Sequence, residues 1–287
     1  MNAPDLILHN GKITTLDAAR PEVSAVAIAG GRITAVGGEE LLAAAGDKTR
    51  RIDLKGRRVI PGLNDSHIHV IRGGLNFNME LRWDGVPSLS LALEMLRDQA
   101  RRTPPPQWVR VIGGWTEFQF AERRMPTLDE INAVAPETPV FVLHLYDRAM
   151  VNRAALRALG YTKETPDPPG GEIQRDKTGN PTGLLIARPN ALLLYASLAK
   201  GPKLGFDDQL NSTRHFMREL NRLGITSCID AGGGFQNYPD DYRVIEHLEG
   251  KKRADPADRL QPLHPKAEGG VRRLRPLDRH DRAGEGE

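Results

Sequence analysis

The chain has 287 residues, long enough to bury a substantial core. With 39% hydrophobic and 27% charged residues it reads as an ordinary globular protein, and no stretch is apolar enough for a membrane span. The net charge of +3 belongs wholly to Lys251–Glu287, where 10 Lys+Arg face 7 Asp+Glu, so the neutral body gives no electrostatic reason to expect nucleic acid or a membrane surface as partner.

The first sixty residues read as a small all-β unit. Short runs at 6–8, 12–15, 25–28, 32–36, 51–54 and 58–60 are each bounded by turn formers. Asn10-Gly11 and Gly30-Gly31 are hairpin signals, because tight turns need the positive φ that these residues tolerate.

From Pro61 the pattern changes to strands alternating with helices. Helices are expected at 88–102, 127–134, 152–159, 206–223 and 239–248, with Thr127 and Glu130 forming a capping box. Strands are expected at 108–112, 139–143 and 225–230, each an apolar run of the kind a buried parallel strand shows. Residues 163–182 are rich in Pro and Gly and read as an excursion or hairpin. Cys228 is the one cysteine; no internal disulfide is possible, which fits a reducing cytoplasm, and its apolar neighbours predict a buried, inert thiol. Residues 251–287 lack Ile, Phe, Trp, Tyr and Met and read as a disordered or non-native tail. A one-nucleotide shift in permitted codons for 255–264 can yield the strand-like TLRIAYNLF. The expectation is therefore that the reading frame is lost near Gly250 and that a C-terminal half is missing.

The densest chemical signal is Val59-Ile60-Pro61-Gly62-Leu63-Asn64-Asp65-Ser66-His67-Ile68-His69. Alternate residues of a strand share a face, so His67 and His69 project together, and two adjacent imidazoles can bind a divalent metal or can be a half-buried edge pair. Asp65 is read either as an orienting partner for an imidazole or as a turn cap. The Gly232-Gly233-Gly234 run has no Gly-Lys-Ser/Thr and is not a phosphate loop.

An apolar strand, a Pro-Gly turn and Asp-Ser-His-x-His after a small β unit resemble the entry to the catalytic barrel of the amidohydrolase superfamily. Asn10-Gly11-Lys12-Ile13, Gly113-Gly114-Trp115, Arg124 to Asp129, Asn180-Pro181-Thr182-Gly183 and Gly224 to Gly232 are similar to its amidohydrolase 3 subgroup, which includes N-substituted formamide deformylases. The series covers roughly residues 5 to 250. The resemblance implies an α/β fold: a β-sandwich at 1–60, then the first part of a (β/α)8 TIM barrel at 61–250. It implies His67 and His69 as metal ligands, one or two divalent ions (zinc), a small-molecule substrate, and hydrolysis of a non-peptide carbon–nitrogen bond by metal-activated water. The general-base aspartate and the other ligands are expected beyond residue 250; His264 and His280, in a Pro- and Arg-rich setting, are not taken as ligands. Trp115, His144 and Asp230 are the substrate-pocket candidates, each with a structural alternative: Trp115, which with Glu117 and Phe118 follows a strand end, as aromatic core packing, His144 as a strand-end histidine with a structural bond, and Asp230 as a loop cap. Leu145-Tyr146-Asp147-Arg148-Ala149-Met150 stands where the subgroup commonly has Asp-Gly-His, with His144 nearby, and Ala187-Arg188 stands where it often has Glu. Two rival readings are a catalytically inactive truncated fragment and an interaction protein acting through its basic tail.

Overall fold

A computed structural model describes residues 3–232, 237, 240–254 and 271–273, the last three and 251–254 by their backbone alone. The expectations for the rest of the tail, including His264 and His280, lie outside the described residues.

The chain opens with seven short strands: β1 (Leu6–His9), β2 (Lys12–Thr14), β3 (Glu22–Val23), β4 (Ala25–Ala29), β5 (Arg32–Gly37), β6 (Arg50–Asp53) and β7 (Arg58–Val59). They form two sheets, ordered β5-β4-β1-β6 and β3-β2-β7. Gly30-Gly31 closes an antiparallel hairpin between β4 and β5, as the sequence predicts. Asn10-Gly11 does something else. It carries the chain from β1 in one sheet to β2 in the other, and Asn10 holds φ at 54° while its side-chain amide donates to Asp53 at 2.8 Å. Ile13 and Val23 of one sheet and Val26 of the other are buried in a shared apolar cluster.

Next come β8 (Leu63–Ile68), α1 (Val70–Asn76), β9 (Glu80–Leu81), α2 (Leu89–Arg102), β10 (Val109–Val111) and α3 (Leu128–Val134). They are followed by β11 (Val140–His144), β12 (Arg148–Val151), α4 (Arg153–Leu159), β13 (Gly171–Arg175), β14 (Pro181–Ala187) and α5 (Leu192–Ala199). The chain continues with α6 (Phe206–Arg222), β15 (Ile225–Asp230), α7 (Arg243–Ala254) and β16 (Val271–Arg273). The helix starts match their caps: Ser88 accepts from Leu91 N–H, Asn152 from Ala155 N–H, and Thr127 and Glu130 bond reciprocally. Among the described residues no helix is long and apolar enough to cross a membrane.

The chain divides into two compact units. The first gathers Met1–Ile71, Met217–Gly232 and the described residues from Ile245 onward. In it β8 pairs in parallel with β15, in the sheet order β16-β15-β8. Gly62, just before β8, is required by packing: a Cβ there would lie 2.0 Å from Thr226 Oγ1.

The second unit gathers Arg72–Phe216 and the described residues of 233–244. Its six-stranded sheet has the order β13-β14-β12-β11-β10-β9, parallel from β9 to β11 and antiparallel beyond. Both faces are covered. Val109, Val111, Val140 and Val142 pack with Leu96 of α2 and Ile131 of α3, together with Trp83, Trp115 and Phe120. Phe141, Leu143, Val151 and Leu185 pack on the other face with Leu156 of α4 and Leu194 of α5.

The strands expected at 108–112 and 139–143 do form, within the six-stranded mixed sheet, while β8 pairs with β15. A central strand of a two-faced sheet and a barrel strand are both apolar on both sides, so periodicity cannot tell which sheet receives them. The excursion read at 163–182 is the β13–β14 hairpin of this larger sheet. The sequence reading passed over β9, β12, α1 and α5, whose segments are two to eight residues long and carry weak periodic signals.

Candidate metal centre

β8 ends at Ile68 and α1 begins at Val70, so His67 and His69 flank the strand's C-terminal end. Strand alternation places both rings on one side, with centroids 5.5 Å apart and planes at 79°. His67 is exposed and His69 half-buried. The Asp65 carboxylate accepts from the His67 backbone N–H at 3.0 Å, so it holds the backbone of the turn instead of an imidazole.

His69 Nδ1 is hydrogen-bonded to the Gly232 carbonyl. A carbonyl only accepts, so this contact calls for an N–H at Nδ1, and in the neutral ring that arrangement leaves the lone pair on Nε2. That is the tautomer a metal-binding imidazole needs, and a backbone carbonyl on the far nitrogen is a common way of fixing it. No sequence signal pointed to Gly232, which lies 163 residues away and enters through its backbone. Asp230 ends β15, opposite Ile68 in the parallel register, and its Oδ1 lies 3.5 Å from Ile71 N–H at the start of α1. A carboxylate there complements the helix dipole. The donor chemistry thus suits a divalent ion, yet among the described residues no group of three or more His, Cys, Asp or Glu is placed to hold one.

The other two pocket candidates belong to the second unit. Trp115 is 0% exposed; it stacks on Phe120, meets Trp83 edge-on, and donates its indole N–H to the Leu143 carbonyl at 2.9 Å. It is a core residue of that unit. His144, at the end of β11, is buried and bridges two carboxylates, Glu117 at 2.7 Å from Nε2 and Asp147 at 3.2 Å from Nδ1. Burial works to raise both carboxyls, but the outcome is a lowered range for each. Glu117 is pulled down by its own backbone N–H, His144 and Arg148, and Asp147 by hydrogen bonds from Arg148 and His144. Glu117 is a cleft candidate in the sequence, beside Trp115; its pairing with His144 depends on the segment after β10 meeting the end of β11 in space.

The amidohydrolase family pattern matches residues 50–280 of the chain. The chain belongs to the amidohydrolase family. The match runs on into the segment after residue 250 that the sequence reading set apart. An N-substituted formamide deformylase of Arthrobacter pascens is 34% identical over 230 residues, covering 79% of this chain and 42% of the relative. The putative amidohydrolase YtcJ of Bacillus subtilis is 34% identical over 194 residues, covering 66% and 36%. This amidohydrolase chain therefore spans well under half the length of those relatives. A crystal structure described as an uncharacterized metal-dependent hydrolase from Pyrococcus horikoshii shares the fold, with a TM-score of 0.54 at 23% identity, over 86% of this chain and 46% of that one.

Proposed function

We propose that this amidohydrolase chain is the front part of a metal-dependent hydrolase acting on amide-type carbon–nitrogen bonds, with His67 and His69 as its first two metal ligands. The observation that carries the proposal is the pairing of the two rings, 5.5 Å apart, with the Gly232 carbonyl engaging His69 Nδ1, the nitrogen a metal on Nε2 would leave free. A bound divalent ion such as zinc would supply an acidified water and a polarised carbonyl. The chain's own share is to hold two imidazoles at a strand end, with Asp65 fixing the His67 backbone and Asp230 at the first turn of α1. The substrate class rests on the deformylase relative, which by its name acts on N-substituted formamides. In the same reading the two N-terminal sheets are the entry sandwich and β8 and β15 are the opening strands of a (β/α)8 barrel; their parallel pairing supports this. A cytoplasmic setting is supported by the buried free thiol of Cys228.

A second reading is favoured by the lack of a three-donor cluster among the described residues: the chain alone holds metal through two imidazoles and does not turn over. Zinc loading of the full chain followed by elemental analysis separates these. The proposal expects bound zinc that falls at least about tenfold in His67→Ala and in His69→Ala. For exposed His67, the Tm should stay within the roughly 0.5 kcal/mol effect typical of surface substitutions. Formate release from an N-substituted formamide supports the hydrolase reading; zinc binding without formate supports the second; zinc retained in both variants removes His67 and His69 as ligands.

A further inference from the structure

The second unit interrupts a pair of strands that belong together. β8 ends at Ile68 and β15 begins at Ile225, yet the two pair in parallel, and nearly all of the chain between them forms the second unit. Within that unit the two ends of the long segment are fastened to each other. The Ser212 hydroxyl donates to the Gly74 carbonyl at 2.6 Å and accepts from Asn78 N–H at 3.1 Å, and the Phe77 and Phe216 rings lie 5.3 Å apart. Gly73 leaves little room for a side chain: a Cβ there would lie 3.0 Å from the Phe216 ring. A segment whose ends meet can be spliced into another fold without disturbing it, and this one has its own two-faced core, the six-stranded sheet under α2 to α5.

The strand pair is covered far less well. Leu63 of β8 is 49% exposed and His67 is exposed, while Cys228 on β15 is buried and lies opposite Asp65 in the register. Regions with little apolar burial open at a lower free energy than sealed cores, and ligand-binding segments are drawn from that end of the range. The sequence supplies a reporter for each unit. All three tryptophans, Trp83, Trp108 and Trp115, fall within 72–216, and the single cysteine, Cys228, falls in the first unit.

We propose that Arg72–Phe216 is an inserted module that supports its own fold, and that the strand pair carrying His67 opens locally while this module stays intact. The proposal is independent of the metal chemistry and is tested without it. In a urea titration of the full chain, tryptophan fluorescence reads the module and pulsed iodoacetamide labelling of Cys228 reads the strand pair. Labelling should reach its midpoint at least about 1 M urea below the fluorescence midpoint. Gly62→Ala should lower the labelling midpoint further and leave fluorescence unmoved. If that variant loses the β8–β15 pairing outright, Cys228 is labelled without urea and the fluorescence transition persists. Ile131→Val, in the module's buried core, should lower the fluorescence midpoint by about 0.5 M and leave labelling unmoved. Coincident midpoints, the reverse order, or either variant displacing both transitions together overturns the proposal.

Discussion

The two parallel strand groups of this molecule are treated very differently. In the second unit Val109, Val111, Val140 and Val142 are all 0% exposed under α2 and α3, and Phe141 and Leu143 are buried under α4 and α5 on the other face. In the first unit β8 runs parallel to β15, yet of Leu63–Ile68 only Asp65 and Ile68 are even partly buried. Parallel strands are ordinarily covered on both faces, and the sheet of the second unit obeys that rule while the described surroundings of β8 do not. Among the described residues, apolar burial is concentrated where the sequence is Val-, Leu- and Trp-rich, whereas His67 lies on a strand with little of it and His69 just past its end.

Substitutions can break or sharpen that contrast. The largest effect is expected from Trp115→Ala, which empties a fully buried aromatic site; unfolding should become easier by about 3–5 kcal/mol in urea titration. A loss under 1 kcal/mol would mean that the second unit is not the stability centre. Gly62→Ala comes next. It forces a methyl onto Thr226 and should cost the first unit about 1–3 kcal/mol, with Thr226→Gly in the same chain recovering most of it. An additive double-variant cycle would show that the β8–β15 contact is looser than drawn.

The smallest effect concerns the capping box of α3. Arg124 donates to Glu130 at 2.8 and 2.7 Å, and this pair, with the Thr127 bonds outweighing burial, lowers the carboxyl to about 2. A depressed carboxyl contributes stability above its unfolded pKa and loses it as pH falls through the folded value. Glu130→Ala should therefore cost about 1 kcal/mol at pH 7, and the gap to wild type should close between about pH 4.5 and pH 2. A gap unchanged down to pH 2 would point to lost packing, with the charge playing no part.

Much of the architecture was written locally. The Thr127–Glu130 capping box, the Gly30-Gly31 hairpin and the helix starts near 89, 128 and 153 follow from side chains and glycines acting on their own backbone, so the sequence determined them unaided. The His67–His69 pair was legible for the same reason, since strand alternation alone places two residues on one side. Other features were decided only by tertiary structure. Asn10-Gly11 has the composition of a hairpin, but Asp53 and the packing of Gly11 against Leu54 turn it into a passage between sheets. Whether Val109–Val111 joins β8 or β9, whether Trp115 faces a cleft or a core, and which carbonyl fixes the His69 tautomer are set by partners tens to more than a hundred residues away. Periodicity records which faces of an element are apolar; the identity of what covers them is a property of the folded chain.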